Sequence, residues 1–266
     1  MELKKYALTA QKILDQETKY IKDKRIISKL FKLSEPLTDK TLIRLTLIDS
    51  FYSTQMNKRY FGIEELSESI NQISDNDDNL TSIVIKFLNG DFDNEISSLL
   101  LKNYGITKSG KQSNKAPSLI TKYLYFLTGY NFPIYDRLVI KSYNSLKEKY
   151  SFYKLPSLPD SCNGEFFIAL NHLNKVTEIH NFDLLDNFLW FSGKILDGSF
   201  SLIFSKKRYL KLLEEINLPE NLDSEKIDES IRIYLKESKN LEKLEHILGK
   251  EEMEFIKFCL SLEVDN

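Results

Sequence analysis

Apolar residues recur at helical spacing along nearly the whole chain, and breaks in that rhythm delimit the elements. A first helix is predicted from about Leu3 to Leu33. A second starts at an Asp39 cap and runs through LIRLTLIDSFYST, where Leu42, Leu45, Ile48 and Tyr52 make one apolar stripe. GIEELSESINQI reads as a third, amphipathic helix. The polar break SDNDDN precedes LTSIVIKFLNG and NEISSLLLKNYG, each stopped by a glycine. TKSGKQSNKAPS has no apolar periodicity and reads as a loop. Beyond it the pattern predicts a helix from Ser118 to Thr128, a connection GYNFPIY, and a helix from Asp136 to about Tyr150.

The segment 151–165, SFYKLPSLPDSCNGE, is the proline-rich break. It suggests a boundary between a helical region 1–150 and a second helical subdomain 151–266. FFIALNHLNKV and DLLDNFLWFSGKIL are again helical, with Trp190 and Phe191 expected in the core. SFSLIFSKK fits a short strand or a helix, and from Tyr209 onward two or three helices carry no candidate chemistry. The expected fold class is all-α.

Composition agrees with that class. The 266 residues are 42% hydrophobic and include only nine glycines and six prolines, too few for a turn-rich β fold. Lys, Asp or Glu interrupts every apolar run, so no membrane partner is expected. The N-terminal stretch reads as an amphipathic helix, not a signal peptide, and the cytoplasm is the default expectation. Cys162, Cys259, His172, His180 and His246 are scattered without ligand spacing, so neither a metal site nor a cofactor is expected.

Charge changes the picture. Residues 1–61 hold thirteen Lys/Arg against seven Asp/Glu, residues 62–101 one against nine, and residues 102–149 nine against two. A nucleic-acid binder needs a basic face, not a basic total, so the net charge of −2 does not exclude one. The same blocks also fit ordinary solvated helix faces.

The run from Ser118 to Val139 holds the candidate chemistry. Lys122 falls near the start of a helix among Leu119, Tyr123, Tyr125 and Phe126, where desolvation and the helix dipole both favour a neutral, nucleophilic amine. Asp136 follows the extended segment Phe132-Pro133-Ile134-Tyr135 and opens the next helix. Taken singly, Asp136 is a helix cap and Lys122 a lysine that snorkels to water. Taken together, they can meet if GYNFP reverses the chain.

These residues resemble the helix-hairpin-helix DNA glycosylase superfamily, and more narrowly the bacterial proteins with an 8-oxoguanine DNA glycosylase fold. Three stretches carry the likeness: Leu47 to Gln55; Ser118 to Lys122 with Phe132 to Val139; and Leu184 to Lys194, similar to an Asp-x-x-Leu-Trp-x-x-Gly-Lys element. They lie within residues 40–195. The resemblance implies a two-lobed helical fold with a cleft between the lobes. It implies that Lys122 is the amine that attacks the sugar C1′, and that Asp136 is the carboxylate that stabilises charge on the sugar and helps activate the amine. It also implies DNA, duplex or damaged, as partner and an everted base as substrate. Tyr52, Tyr123, Phe126 and Tyr135, with Tyr125, are then candidates for the base pocket, although for most of the five core packing is the expected role. Gln55 would lie near the everted nucleotide.

The chain departs from the family's Leu-x-Gly-Val-Gly-x-Lys hairpin, having no paired glycines before the lysine. Its Lys-to-Asp spacing is fourteen, and Tyr135 is an extra residue before the acid. Phosphate contacts are therefore expected from Lys108, Lys111 and Lys115 and from amides at the Ser118 helix start. The expected activity is a DNA glycosylase, with or without an AP lyase step, for an oxidised or modified base. The alternatives are a nucleic-acid-binding module of the same fold without catalysis, for example in phage defence, or an all-helical interaction protein. A protein partner would be met by the C-terminal helices.

Overall fold

The computed structural model describes residues 2–16, 18–33, 39–218, 223–237, 240 and 243–263. The protein is all-α, and among the described residues extended pairing is limited to isolated bridges. The helices are α1 (Glu2–Leu14), α2 (Lys19–Phe31), α3 (Lys40–Tyr52), α4 (Gly62–Ile73), α5 (Asp77–Leu88), α6 (Glu95–Leu101), α7 (Pro117–Leu127), α8 (Arg137–Lys149), α9 (Gly164–Val176), α10 (Phe182–Leu196), α11 (Lys206–Ile216) and α12 (Ser224–Lys236). A short helix Glu245–Leu248 and a longer one, Lys250–Leu260, follow. No helix of the described residues is long and apolar enough to cross a membrane.

The chain forms two compact units, each gathered from separate stretches of sequence. The terminal unit comprises Met1–Lys22, Arg137–Pro156 and Leu173–Asn266; the central unit comprises Asp23–Asp136 and Ser157–His172.

In the terminal unit, α10 packs on α1, α8 and Lys250–Leu260. Leu3, Ala7, Ala10 and Leu14 form the buried stripe of α1, at the three- and four-residue spacing of one helix face. Gly193 permits the close approach of α10 to α8, because a Cβ there would lie 2.7 Å from the Leu138 Cβ and carbonyl oxygen. The Ser142 hydroxyl ties the same pair by donating to the Leu189 carbonyl at 2.7 Å.

In the central unit, α7 is the axis and packs on α3, α5 and α6. Every residue from Leu119 to Phe126 is buried. A helix apolar on all sides has to be enclosed by others, and α7 fits that rule except at Thr121 and Lys122.

Several local expectations are corrected. The predicted helix from Leu3 to Leu33 is two helices. The Thr18 hydroxyl donates to the Leu14 carbonyl at 2.8 Å and accepts from the Ile21 amide at 3.3 Å, so it ends one helix and begins the next. Asp39 precedes α3 in a left-handed conformation, with φ 57°, and its side chain makes no cap. The segment SFSLIFSKK is neither strand nor continuous helix: it contains a short 3-10 turn, Phe200–Leu202, before α11. Phe191 is buried as expected, while Trp190 is half-buried against Tyr20, with ring centroids 4.3 Å apart.

Candidate functional site

Pro117 stands at the first position of α7, where a missing amide costs nothing. At the other end, Gly129 takes φ 62° and Tyr130 φ 74°. The Tyr130 amide donates to the Tyr125 carbonyl at 2.7 Å and the Gly129 amide to the Phe126 carbonyl at 3.2 Å, the paired bonds of a Schellman stop. The chain reverses there and returns as Phe132–Tyr135. Phe132, wholly buried, faces the Phe87 and Phe167 rings at centroid distances of 6.2 and 5.2 Å and anchors the return.

Thr121 fixes the register of that return. Its buried hydroxyl donates to the Pro117 carbonyl at 2.8 Å and accepts the Tyr135 amide at 3.0 Å. One residue further along on each side, Lys122 Nζ donates to Asp136 Oδ2 at 2.8 Å. The same amine donates to the Ser118 hydroxyl, one turn earlier, at 2.7 Å. It also stands over the Tyr52 ring, 5.8 Å from its centroid, within cation–π range. The lysine side chain is 5% exposed and the aspartate 24%, so the amine is nearly dry while the acid keeps a face to solvent.

Ser118 therefore does not cap α7. The cap position belongs to Ala116, which makes no side-chain cap, and Ser118 serves the amine instead. Of the candidate pocket aromatics, Tyr52 is the one whose ring lies under the Lys122 amine. Tyr123 and Tyr125 are fully buried in α7's packing, Tyr123 edge-on to Phe31 at 5.3 Å. Phe126 is buried between Phe31, at 5.7 Å, and Tyr52, at 6.2 Å. Tyr135 lies edge-on to Phe166 at 5.0 Å, and burial raises its phenol above the usual range, with Cys162 and Asp160 adding to the shift.

Gln55 lies on the loop after α3, exposed and at φ 64°. Sequence reasoning passed over what holds that loop, the buried Asp49. Its carboxylate accepts the Thr54 hydroxyl and the amides of Met56 and Asn57, each amide at 2.9 Å. Lys108, Lys111 and Lys115 are exposed on the run 102–116, whose backbone pairs with the α3–α4 loop through Tyr60 and Ile106. The third stretch of the resemblance, Leu184–Lys194, lies in α10 of the terminal unit. There Asn187 accepts the Tyr20 hydroxyl at 2.9 Å, Lys194 stands over the Trp190 ring at 5.6 Å, and Gly193 is required for packing.

Thr121, Ser118 and Asp49 are the positioning residues that the sequence reading missed or misassigned. A signal for the first was present: Thr121 and Tyr135 are separated by the same fourteen residues as Lys122 and Asp136. No protein-family model, curated protein or solved structure matches this chain.

Proposed function

We propose that this chain is a helix-hairpin-helix-like DNA glycosylase in which Lys122 is the nucleophile and Asp136 its acid partner. One observation carries the reading: the 2.8 Å contact between a 5%-exposed amine and a carboxylate that still reaches solvent. Burying an ammonium is costly, and replacing a buried ion pair as a whole by well-packed apolar side chains is often neutral or stabilising, so stability alone does not call for this pair. A lysine at such a place, with three oriented neighbours, is a functional-site candidate on geometry.

The chemistry balances with these two groups. Asp136 takes a proton from the lysine ammonium. The freed lone pair bonds to the sugar C1′ as the C1′–base bond breaks; the base leaves with the electrons of the broken bond and takes the proton held by Asp136. The attacking nitrogen, now a secondary ammonium, passes a proton to O4′ as the C1′–O4′ bond breaks, and its lone pair makes the iminium. Asp136, again a carboxylate, takes a C2′ proton, and the C2′–H electrons form the C2′–C3′ double bond as the 3′ phosphate leaves, which is the lyase step. The Ser118 hydroxyl fixes the amine's direction without joining the bond changes. The reading requires a concave approach to Lys122 that admits an everted nucleotide.

Borohydride trapping on oligonucleotides bearing an abasic site or 8-oxoguanine tests the reading. Wild type should form a covalent adduct and Lys122→Ala none. A second reading, a nucleic-acid-binding module without catalysis, is favoured by the run 107–116, a lysine-bearing hairpin without the family's paired glycines. It predicts salt-dependent binding and no adduct on either oligonucleotide.

A further inference from the structure

The α3–α4 loop and the run 102–116 are joined more firmly than two surface loops need to be. The Tyr60 amide donates to the Ile106 carbonyl at 2.9 Å, and the Ile106 amide donates back to Tyr60 at 3.0 Å. The Arg59 guanidinium donates to the carbonyls of Asn114, at 2.6 Å, and Lys115, at 3.3 Å. At Gly105, with φ 73°, an added Cβ would lie 2.7 Å from both the Tyr60 carbonyl oxygen and the Gly62 Cα, so only glycine fits. Glu65 closes the join by accepting the Gly105 amide at 2.6 Å.

This fused support leaves the rings of two consecutive residues in water, with Tyr60 55% and Phe61 64% exposed. Phe61 sits at φ 62°, a backbone region that a bulky residue rarely adopts and that Asn or Gly would occupy with less strain. Packing does not account for a phenylalanine there, because its ring is outside the core. The two joined stretches are rich in cations. The run 102–116 holds four lysines and no acid, and between Ser53 and Glu64 the only acid is Glu64 itself. Lys58, Lys108, Lys111 and Lys115 are exposed, and none pairs with a carboxylate among the described residues. Asp49 and Glu65 are engaged with backbone amides of these loops.

We infer that Tyr60 and Phe61 form a stacking platform for unpaired bases of a single nucleic-acid strand, with Lys58, Lys108, Lys111 and Lys115 holding its phosphates. The inference deepens the nucleic-acid reading of these loops and rests on it. Flat rings on a rigid base offer their faces to base faces, which a duplex hides and a single strand presents. Four exposed lysines against one exposed acid, Glu64, favour phosphate over a protein surface of mixed charge. Rigidity matters because a preformed platform loses little conformational entropy when a strand docks.

Fluorescence anisotropy with labelled oligodeoxyuridylate, oligouridylate and a blunt duplex of equal length tests this. Wild type should bind a single strand about tenfold tighter than duplex, and the tighter oligomer names the sugar it prefers. Tyr60→Ala with Phe61→Asn should weaken single-strand binding by about tenfold or more while leaving duplex binding within about twofold. Because Asn tolerates the left-handed backbone, the melting temperature of this variant should not fall. Replacing Lys108, Lys111 and Lys115 with Ala should weaken binding and flatten its salt dependence. Anisotropy reads the platform and borohydride trapping reads Lys122, so loss of chemistry and loss of the platform read separately. Equal affinity for strand and duplex, an unchanged Tyr60/Phe61 variant, or no binding to any probe would overturn the platform. Trapping at Lys122 would stand or fall independently.

Discussion

Asp136 and Arg137 are neighbours in sequence and belong to different units, and each takes part in an ion pair. Asp136 meets Lys122 in the central unit, where the lysine side chain is 5% exposed. Arg137, 74% exposed, meets Asp197 in the terminal unit, with Lys141 joining at 3.0 Å. The chemical types are alike and the consequences are not. An amine enclosed by α7 and its neighbours has lost its water and depends on Asp136, Ser118 and Tyr52, so its reactivity is set by a few oriented groups. The guanidinium beside Asp197 remains hydrated, and its pairing contributes little. On the proposed function, exclusion of solvent is what would separate the reactive pair from the surface one.

The largest expected difference is in activity. Lys122→Ala should abolish adduct formation, whereas Arg137→Ala should trap at the wild-type rate; equal loss in both would erase the distinction. Asp136→Asn should lower base release by about a hundredfold or more, the range of a lost proton acceptor, with DNA affinity nearly unchanged. If affinity and melting temperature collapse together, Asp136 is only a structural element at the start of α8.

Stability sharpens the same contrast. Arg44 is wholly buried, lies 4.2 Å from the Phe31 ring centroid, and is held by Asp77 at 2.9 and 3.1 Å. Asp77→Asn should cost about 3 kcal/mol in urea unfolding, the lower end for an unpaired buried charge because Asp77 is itself 33% exposed. Asp197→Asn should cost less than about 1 kcal/mol. Thr121→Val strands the Tyr135 amide and should cost about 1–3 kcal/mol, with a larger proportional loss of activity as the register of Asp136 loosens.

Acid titration gives the smallest effect. Burial by itself would raise the Asp77 carboxyl, but hydrogen bonds from Arg44 and Lys40 outweigh it and hold it below the usual range. A lowered folded value means that its contribution is complete above the ordinary carboxylate range and is lost as pH falls through the folded value. Asp197 shifts in the same direction, with burial again opposed by Arg137 and Lys141. The Asp77→Asn protein should therefore show a flatter acid limb in melting temperature against pH, and Asp197→Asn a smaller change of the same sign.

Much of the local structure was legible in the sequence. The α4 stretch matches its predicted span, and GYNFP does reverse the chain, because glycine supplies the left-handed turn the stop requires. The meeting of Lys122 and Asp136 follows from that reversal. Long-range causes were less visible. Nothing local marks Gly105 as the point where two loops allow no Cβ, or Asp49 as the acceptor that shapes the Gln55 loop. The passage between units at Asp136 and Arg137 carries no compositional signal, because it is set by which helices each residue packs against. Ser118 misled because a serine after proline satisfies the rule for a cap, while a lysine one turn later offers its hydroxyl a stronger donor.

The central claim is that the buried amine of Lys122 forms the covalent bond to sugar. Mass-spectrometric mapping of the borohydride-reduced adduct on abasic DNA tests it most directly. The account predicts that the peptide carrying Lys122 alone gains the mass of the reduced sugar fragment. A modified amine elsewhere, with the Lys122 peptide unchanged, would contradict it.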